Sequence, residues 1–253
     1  MSKKSRKNRS GNLHHKSGNV VHPVFDDLGH SAWHPLDDEI DGARDKKFVK
    51  NITPRSDGQR DLMEAINSHN LTLAIGPAGT GKTYLAISAA VDALQKGKVQ
   101  RIILSRPAME AGESIGFLPG DMHEKMAPYL RPLYDALGDR MVGKQVRQYM
   151  DEGTIEIAPV GFMRGRTLNN AFVVIDEAQN CTYGQLKMLL SRLGWHSTMV
   201  VTGDPDQSDL LDGMSGLSQI AEKLSTVANI GVVKLAQADI VRHPLVAEML
   251  EVL

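Results

Sequence analysis

Short apolar runs rich in β-branched residues recur from Asn51 onward, at Leu71–Ile75, Arg101–Ser105, Thr154–Ile157, Ala171–Ile175, Thr198–Thr202 and Ile230–Leu235. Each has the length of a strand rather than a helix. Between several of them the apolar positions change to a helical period, in "TYLAISAAVDALQKG", "MHEKMAPYLRPLYDAL", "YGQLKMLLSRLG" and "GLSQIAEKLS". This alternation predicts an α/β fold, a mostly parallel sheet with helices on both faces. There is no internal repeat. The first fifty residues follow neither period: "MSKKSRKNRS" is basic without an acid, and "DDLGHSAWHPLDDEID" is acidic with an isolated Trp33. Residues 1–50 are therefore expected to form a disordered arm, and 51–253 the folded domain.

Composition narrows the picture. A chain of 253 residues supports one sizeable core but not two full nucleotide-binding lobes. Its net charge of -1 requires any nucleic-acid binding to come from local patches. Cys181 is the single cysteine, which excludes an internal disulfide and a cysteine zinc cluster and suits the cytoplasm. Without a long apolar stretch or a secretory h-region, no membrane partner is expected. His14, His15, His22 and His30 are too irregularly spaced to read as a metal site. The basic cluster of the arm can be read as a phosphate contact or as a solubilising tail.

Chemistry enters with "GPAGTGKT", directly after the first apolar run. Gly76, Gly79 and Gly81 let the backbone curl so that the amides of Pro77-Ala78-Gly79-Thr80 and their neighbours surround a phosphate; proline itself has no amide hydrogen to give. The helix that follows adds its positive end. Lys82 would reach the β- and γ-phosphates, Thr83 would place its hydroxyl on Mg²⁺, and Tyr84 completes the cofactor-binding stretch.

In "AFVVIDEAQN" an apolar strand ends in two carboxylates. Asp176 is placed for the hydration shell of Mg²⁺, and Glu177 to polarise an attacking water. A small-molecule kinase needs no such glutamate, so the pair favours hydrolysis. In "MVVTGDPDQSDL" a further strand ends at Gly203-Asp204, with Gln207 just beyond. An amide there can bond both the γ-phosphate and the attacking water, and so report hydrolysis.

The ordered set "GPAGTGKT", "RPAMEAGESIGFLPGD", "VVIDEAQN", "TGDPDQSDL" and "VRHPLV" resembles the PhoH family, over about Asn51 to Leu253. The resemblance implies a RecA-like P-loop NTPase core, similar to one lobe of superfamily-one helicases, with an extra strand between the strands of the phosphate loop and the acid pair. It implies ATP hydrolysis, with single-stranded RNA or DNA as partner. It also gives Gln59, in "TPRSDGQRDLMEAI", the role of reading the adenine edge.

Nucleic acid is expected at the segments that follow strand ends, where ligands collect in open parallel sheets. There Arg106, Lys125, Arg131, Arg164 and Arg166 can meet phosphates, and Phe117 and Phe162 can stack on bases. Arg242, in "ADIVRHPLVAEML", is the candidate arginine finger. With a single lobe it would act on a neighbouring subunit, and the resemblance suggests a homohexameric ring. Two functions stay open at this point: an ATPase that unwinds or remodels RNA, and an ATP-controlled binding switch without directed movement.

Overall fold

The computed structural model describes residues 52–107, 122–211, 213–241 and 249, with 122–128 described by backbone alone. The proposed arm, Phe117, the side chain of Lys125 and Arg242 lie outside the described residues. Six helices are seen among them: α1 (Asp57–Ser68), α2 (Lys82–Gln95), α3 (Met122–Gly138), α4 (Gly143–Asp151), α5 (Tyr183–Leu190) and α6 (Leu217–Leu224). Interspersed with them are six strands: β1 (Leu71–Ile75), β2 (Arg101–Arg106), β3 (Ile155–Pro159), β4 (Ala171–Ile175), β5 (Thr198–Gly203) and β6 (Ile230–Lys234).

All pairings are parallel, in the order β3-β2-β4-β5-β1-β6. Strand β5 thus lies between β1, which leads into the phosphate loop, and β4, which leads into the acid pair. This is the extra strand that a RecA-like core requires. The expected α/β architecture is therefore observed.

Period-two alternation divides the sheet between two apolar layers. Ala74, Ile102, Leu104, Phe172, Val174 and Val200 face α1 to α4, where Leu62, Leu85, Ile87 and Leu133 are buried. Leu71, Leu73, Ile75, Ile103, Val173 and Val201 face α5 and α6, where Leu186, Leu189, Leu217 and Ile220 are buried. Strands β1 and β4 are buried at every position, as a sheet covered on both faces demands. No helix among the described residues is long and apolar enough to cross a membrane.

Helix α4 is absent from the periodic reading. Val146 is its one buried residue, so nine residues carry too little apolar signal to declare a helix. Helix α1 starts on Ser56, whose hydroxyl accepts from the Gln59 amide at 3.2 Å and satisfies one of the free amides of the first turn.

Candidate nucleotide site

Because every strand runs the same way, the ends of β1, β4 and β5 converge on one edge. The loop after β1 curls through Gly76, Gly79 and Gly81, with φ of 147°, 82° and 83°. Gly81 caps α2, so the positive end of that helix meets the loop. A cleft of about 310 Å³ is lined by Ala78, Lys82, Thr83, Asp176, Glu177 and Gln207, among others. The expected phosphate, acid and sensing residues therefore share one cavity. A second cavity of about 310 Å³ shares Gly79, Gly81 and Tyr84 with the first and is completed by Ile52, Thr53, Arg55, Gln59, Leu85 and Val241. The loop stands between the two cavities.

Lys82 Nζ donates to the carbonyls of Gly76 and Pro77, the latter at 2.7 Å. Burial depresses its pKa, while Asp204, Glu177 and Asp176 act in the opposite direction. The surrounding acids thus offset part of the cost of keeping this ammonium charged in a closed site. Thr83 Oγ1 donates to Asp176 Oδ1 at 2.6 Å, and Thr202 Oγ1 donates to the same oxygen at 2.7 Å. Two hard oxygen donors side by side suit Mg²⁺, which commonly takes one or two protein ligands and completes its shell with phosphates and water. Among the described residues there is no cluster of three His, Cys, Asp or Glu for a metal held by protein alone.

Glu177 adopts a left-handed backbone, φ 52°, at the turn after β4. Such a conformation in a non-glycine residue costs on the order of 1–3 kcal/mol and persists where its surroundings over-determine it. Here the Gln179 side-chain amide donates to Glu177 Oε2. The other end of Gln179 accepts from the Asp204 amide at 3.1 Å, and Asp204 Oδ2 accepts from the Ala78 amide of the phosphate loop at 3.2 Å. Gln179 is 2% exposed and ties the turn after β4 to the end of β5, from which Asp204 reaches the loop after β1. The sequence by itself gives neither Gln179 nor Asp204 a role. Both lie inside motifs quoted above, Gln179 in "VVIDEAQN" and Asp204 in "TGDPDQSDL", but their meeting requires the sheet order.

The segment carrying Gln207 is fastened to the same turn. Asn180 donates to Asp209 Oδ2 and accepts from the Asp209 amide, both at 2.9 Å, and the Ser208 hydroxyl donates to the Gln179 carbonyl at 3.0 Å. A shift of Gln207 is thereby tied to the acid turn.

In the second cavity Gln59 is 5% exposed. Its amide nitrogen donates to the Thr80 carbonyl at 3.0 Å, and its oxygen accepts from the Arg55 amide at 2.9 Å. One donor and one acceptor position remain, the pattern an adenine edge presents. Asp239, from the short helical turn Gln237–Asp239, accepts from the Gly58 amide at 3.1 Å and pins the start of α1. The Val241 amide donates to the Gly79 carbonyl at 2.9 Å.

The residues expected at nucleic acid separate into different settings. Phe162 is 56% exposed on the turn after β3, and Arg164 beside it is exposed. Arg131 is exposed on α3. Arg166 is held by both oxygens of Glu156, with Nη2 2.7 Å from Oε2, so its charge is already paired. Arg106 does not lie among surface cations; it stands against Asp176 and Glu177. Cys181 is fully buried, and burial pushes its thiol up to about 12, leaving it neutral and inert.

The family described as PhoH-like protein matches residues 51–253. The PhoH-like protein of Bacillus subtilis (strain 168) is 53% identical over 203 residues, 80% of this chain and 64% of that protein. Protein PhoH of Escherichia coli (strain K12) is 45% identical over 207 residues, 80% of this chain and 58% of that protein. The chain thus spans less than two thirds of the length of these relatives. Among solved structures, the large terminase from a thermophilic bacteriophage gives a TM-score of 0.48 at 13% identity, covering 79% of this chain and 50% of that one. The Pif1 helicase from Candida albicans gives 0.36 at 16% identity, covering 73% and 41%.

Proposed function

This chain belongs to the PhoH family, and from the geometry of its site we propose that it is an ATPase acting on single-stranded nucleic acid. The observation that carries this reading is the meeting of Lys82, Thr83, Asp176, Glu177 and Gln207 in one cleft. The triphosphate lies along the loop, held by its amides and the α2 terminus, with Lys82 turning from the loop carbonyls to the β- and γ-phosphates. Thr83 and Asp176 hold Mg²⁺, which supplies charge neutralisation to the phosphates when bound. Adenine enters the second cavity against Gln59. Glu177 takes the proton of the attacking water, while Gln207 orients that water and the γ-phosphate. Phe162 and Arg164 offer a base-stacking ring and a phosphate contact on the same edge of the sheet. Coupling hydrolysis to movement makes the protein an RNA helicase or remodelling ATPase.

A strand-displacement assay run alongside ATP turnover tests the proposal. Glu177→Gln is expected to bind ATP but turn over about 10²–10⁴-fold more slowly, and to lose displacement. Unchanged turnover would remove the hydrolytic role. ATP-dependent binding without displacement by the wild type would replace the motor by a nucleotide-controlled binding switch.

A further inference from the structure

Strand β2 ends on Arg106, and its guanidinium reaches both acids of the neighbouring strand end. Nη1 lies 3.8 Å from Asp176 Oδ2, and Nη2 lies 3.5 Å from Glu177 Oε1. The side chain is 22% exposed, partly withdrawn from water yet open to an incoming anion. Glu177 Oε2 is meanwhile occupied by the Gln179 amide. Both carboxylate oxygens are therefore engaged. A cation at one oxygen and a donor at the other hold the carboxylate in this orientation and occupy positions that an attacking water would need.

On its other side β2 pairs with β3. Register places Arg106 opposite Pro159 on β3, shortly before exposed Phe162 and Arg164. The end of β2 thus stands between the acid pair after β4 and the segment after β3 offered to a single strand. Arginine recognises phosphate through the same planar fork that it uses for carboxylate. A phosphate arriving there competes directly with Glu177.

We propose that Arg106 is a coupling residue: without nucleic acid it restrains Glu177, and a backbone phosphate of a bound single strand draws it away and frees that carboxylate. This rests on the assignments of Glu177 and of nucleic acid made above. Arg106 acts through Glu177 and is a positioning residue for hydrolysis. The change is an exchange of ion-pair partners, and a coupling of this kind is worth roughly 5–150-fold.

The test is steady-state hydrolysis by the full chain at saturating ATP, with and without single-stranded oligouridine. The wild type is expected to be slow alone and stimulated within that range. Arg106→Gln should raise kcat without RNA, leave KM for ATP unchanged and respond little to RNA. Arg106→Lys, which keeps the charge, should restore part of the restraint. Adding Glu177→Gln to Arg106→Gln should return turnover to the level of Glu177→Gln alone, which a merely structural disturbance would not do. Should Arg106→Gln fail to fold, Arg106→Met carries the same expectation. If the wild type is stimulated but Arg106→Gln alone is no faster than wild type, the inference is overturned while the proposed function stands. A faster Arg106→Gln would also exclude release by the γ-phosphate of ATP, which would already have freed Glu177 in both proteins. An unstimulated wild type would instead overturn the nucleic-acid half of the proposed function and, with it, the coupling.

Discussion

Gly76 follows β1 at φ 147°, a conformation that side chains rarely adopt, and a Cβ there would lie 2.3 Å from the Leu235 carbonyl oxygen. That carbonyl belongs to backbone which is itself fixed, because the Leu235 amide donates to the Ile75 carbonyl at 2.7 Å. Neither partner can yield cheaply. Gly76→Ala is therefore expected to cost about 1–3 kcal/mol, the usual toll of overpacking, before any effect on nucleotide. Urea unfolding of the two proteins measures it; an unchanged midpoint would show that the loop start is more adaptable than this geometry allows. Gln179 is the opposite case, a side chain whose value lies in two hydrogen-bonding ends rather than in the absence of a Cβ.

Between elements, the start of α1 and the turn Gln237–Asp239 hold each other through one carboxylate. Asp239 accepts from the Ala236 amide at 2.8 Å as well as from Gly58. The Ala236 amide is the main reason its pKa falls below the ordinary value, followed by the Ser56 hydroxyl, with Gly58 adding a smaller share against the opposing effect of burial. A depressed carboxyl pKa means that the native state binds protons less readily than the unfolded chain. Its contribution is therefore complete above the unfolded value of about 3.9 and is lost as pH falls through the native one. Asp239→Ala leaves these amides without their acceptor and should destabilise by about 1–3 kcal/mol at neutral pH. Denaturation curves of both proteins should converge progressively below about pH 4. A gap that stays constant across that range would show that charge has no part in the junction. Since Gln59 sits in the same helix, the variant should also weaken ATP binding.

At the scale of the molecule, the open question is where the arginine finger comes from. We propose a homohexamer in which Arg242 of one subunit serves the ATP site of the next, as heterologous contacts that close into rings permit. Arg242→Ala alone should bind ATP yet lose turnover, by as much as about 10³–10⁵-fold. Mixing it with Lys82→Ala protein should recover activity, because one subunit keeps the site and the other keeps the finger. The contact between Val241 and Gly79 of the same chain makes this mixture informative. If Arg242 served its own loop, mixed oligomers verified by mass would show no recovery, and the ring would lose its catalytic reason.

Local pattern determined a great deal about this protein. Short apolar, β-branched runs placed all six strands within two residues of their observed bounds, β1 and β4 without any shift, because burial on both faces leaves an unbroken apolar run. The phosphate loop was equally legible, since its chemistry needs consecutive residues before one helix. The meeting of Thr83 and Asp176 across 93 positions follows from the Mg²⁺ role both motifs share. Tertiary structure alone decided other contacts, such as that of Gly58 with Asp239, 181 positions apart. Arg106 reads in the sequence as one more surface cation. It becomes the partner of Glu177 because β2 pairs with β4, although α3, α4 and β3 intervene along the chain. Strand order arises from how whole elements cover one another's apolar faces, and the spacing within a single run carries no trace of that choice.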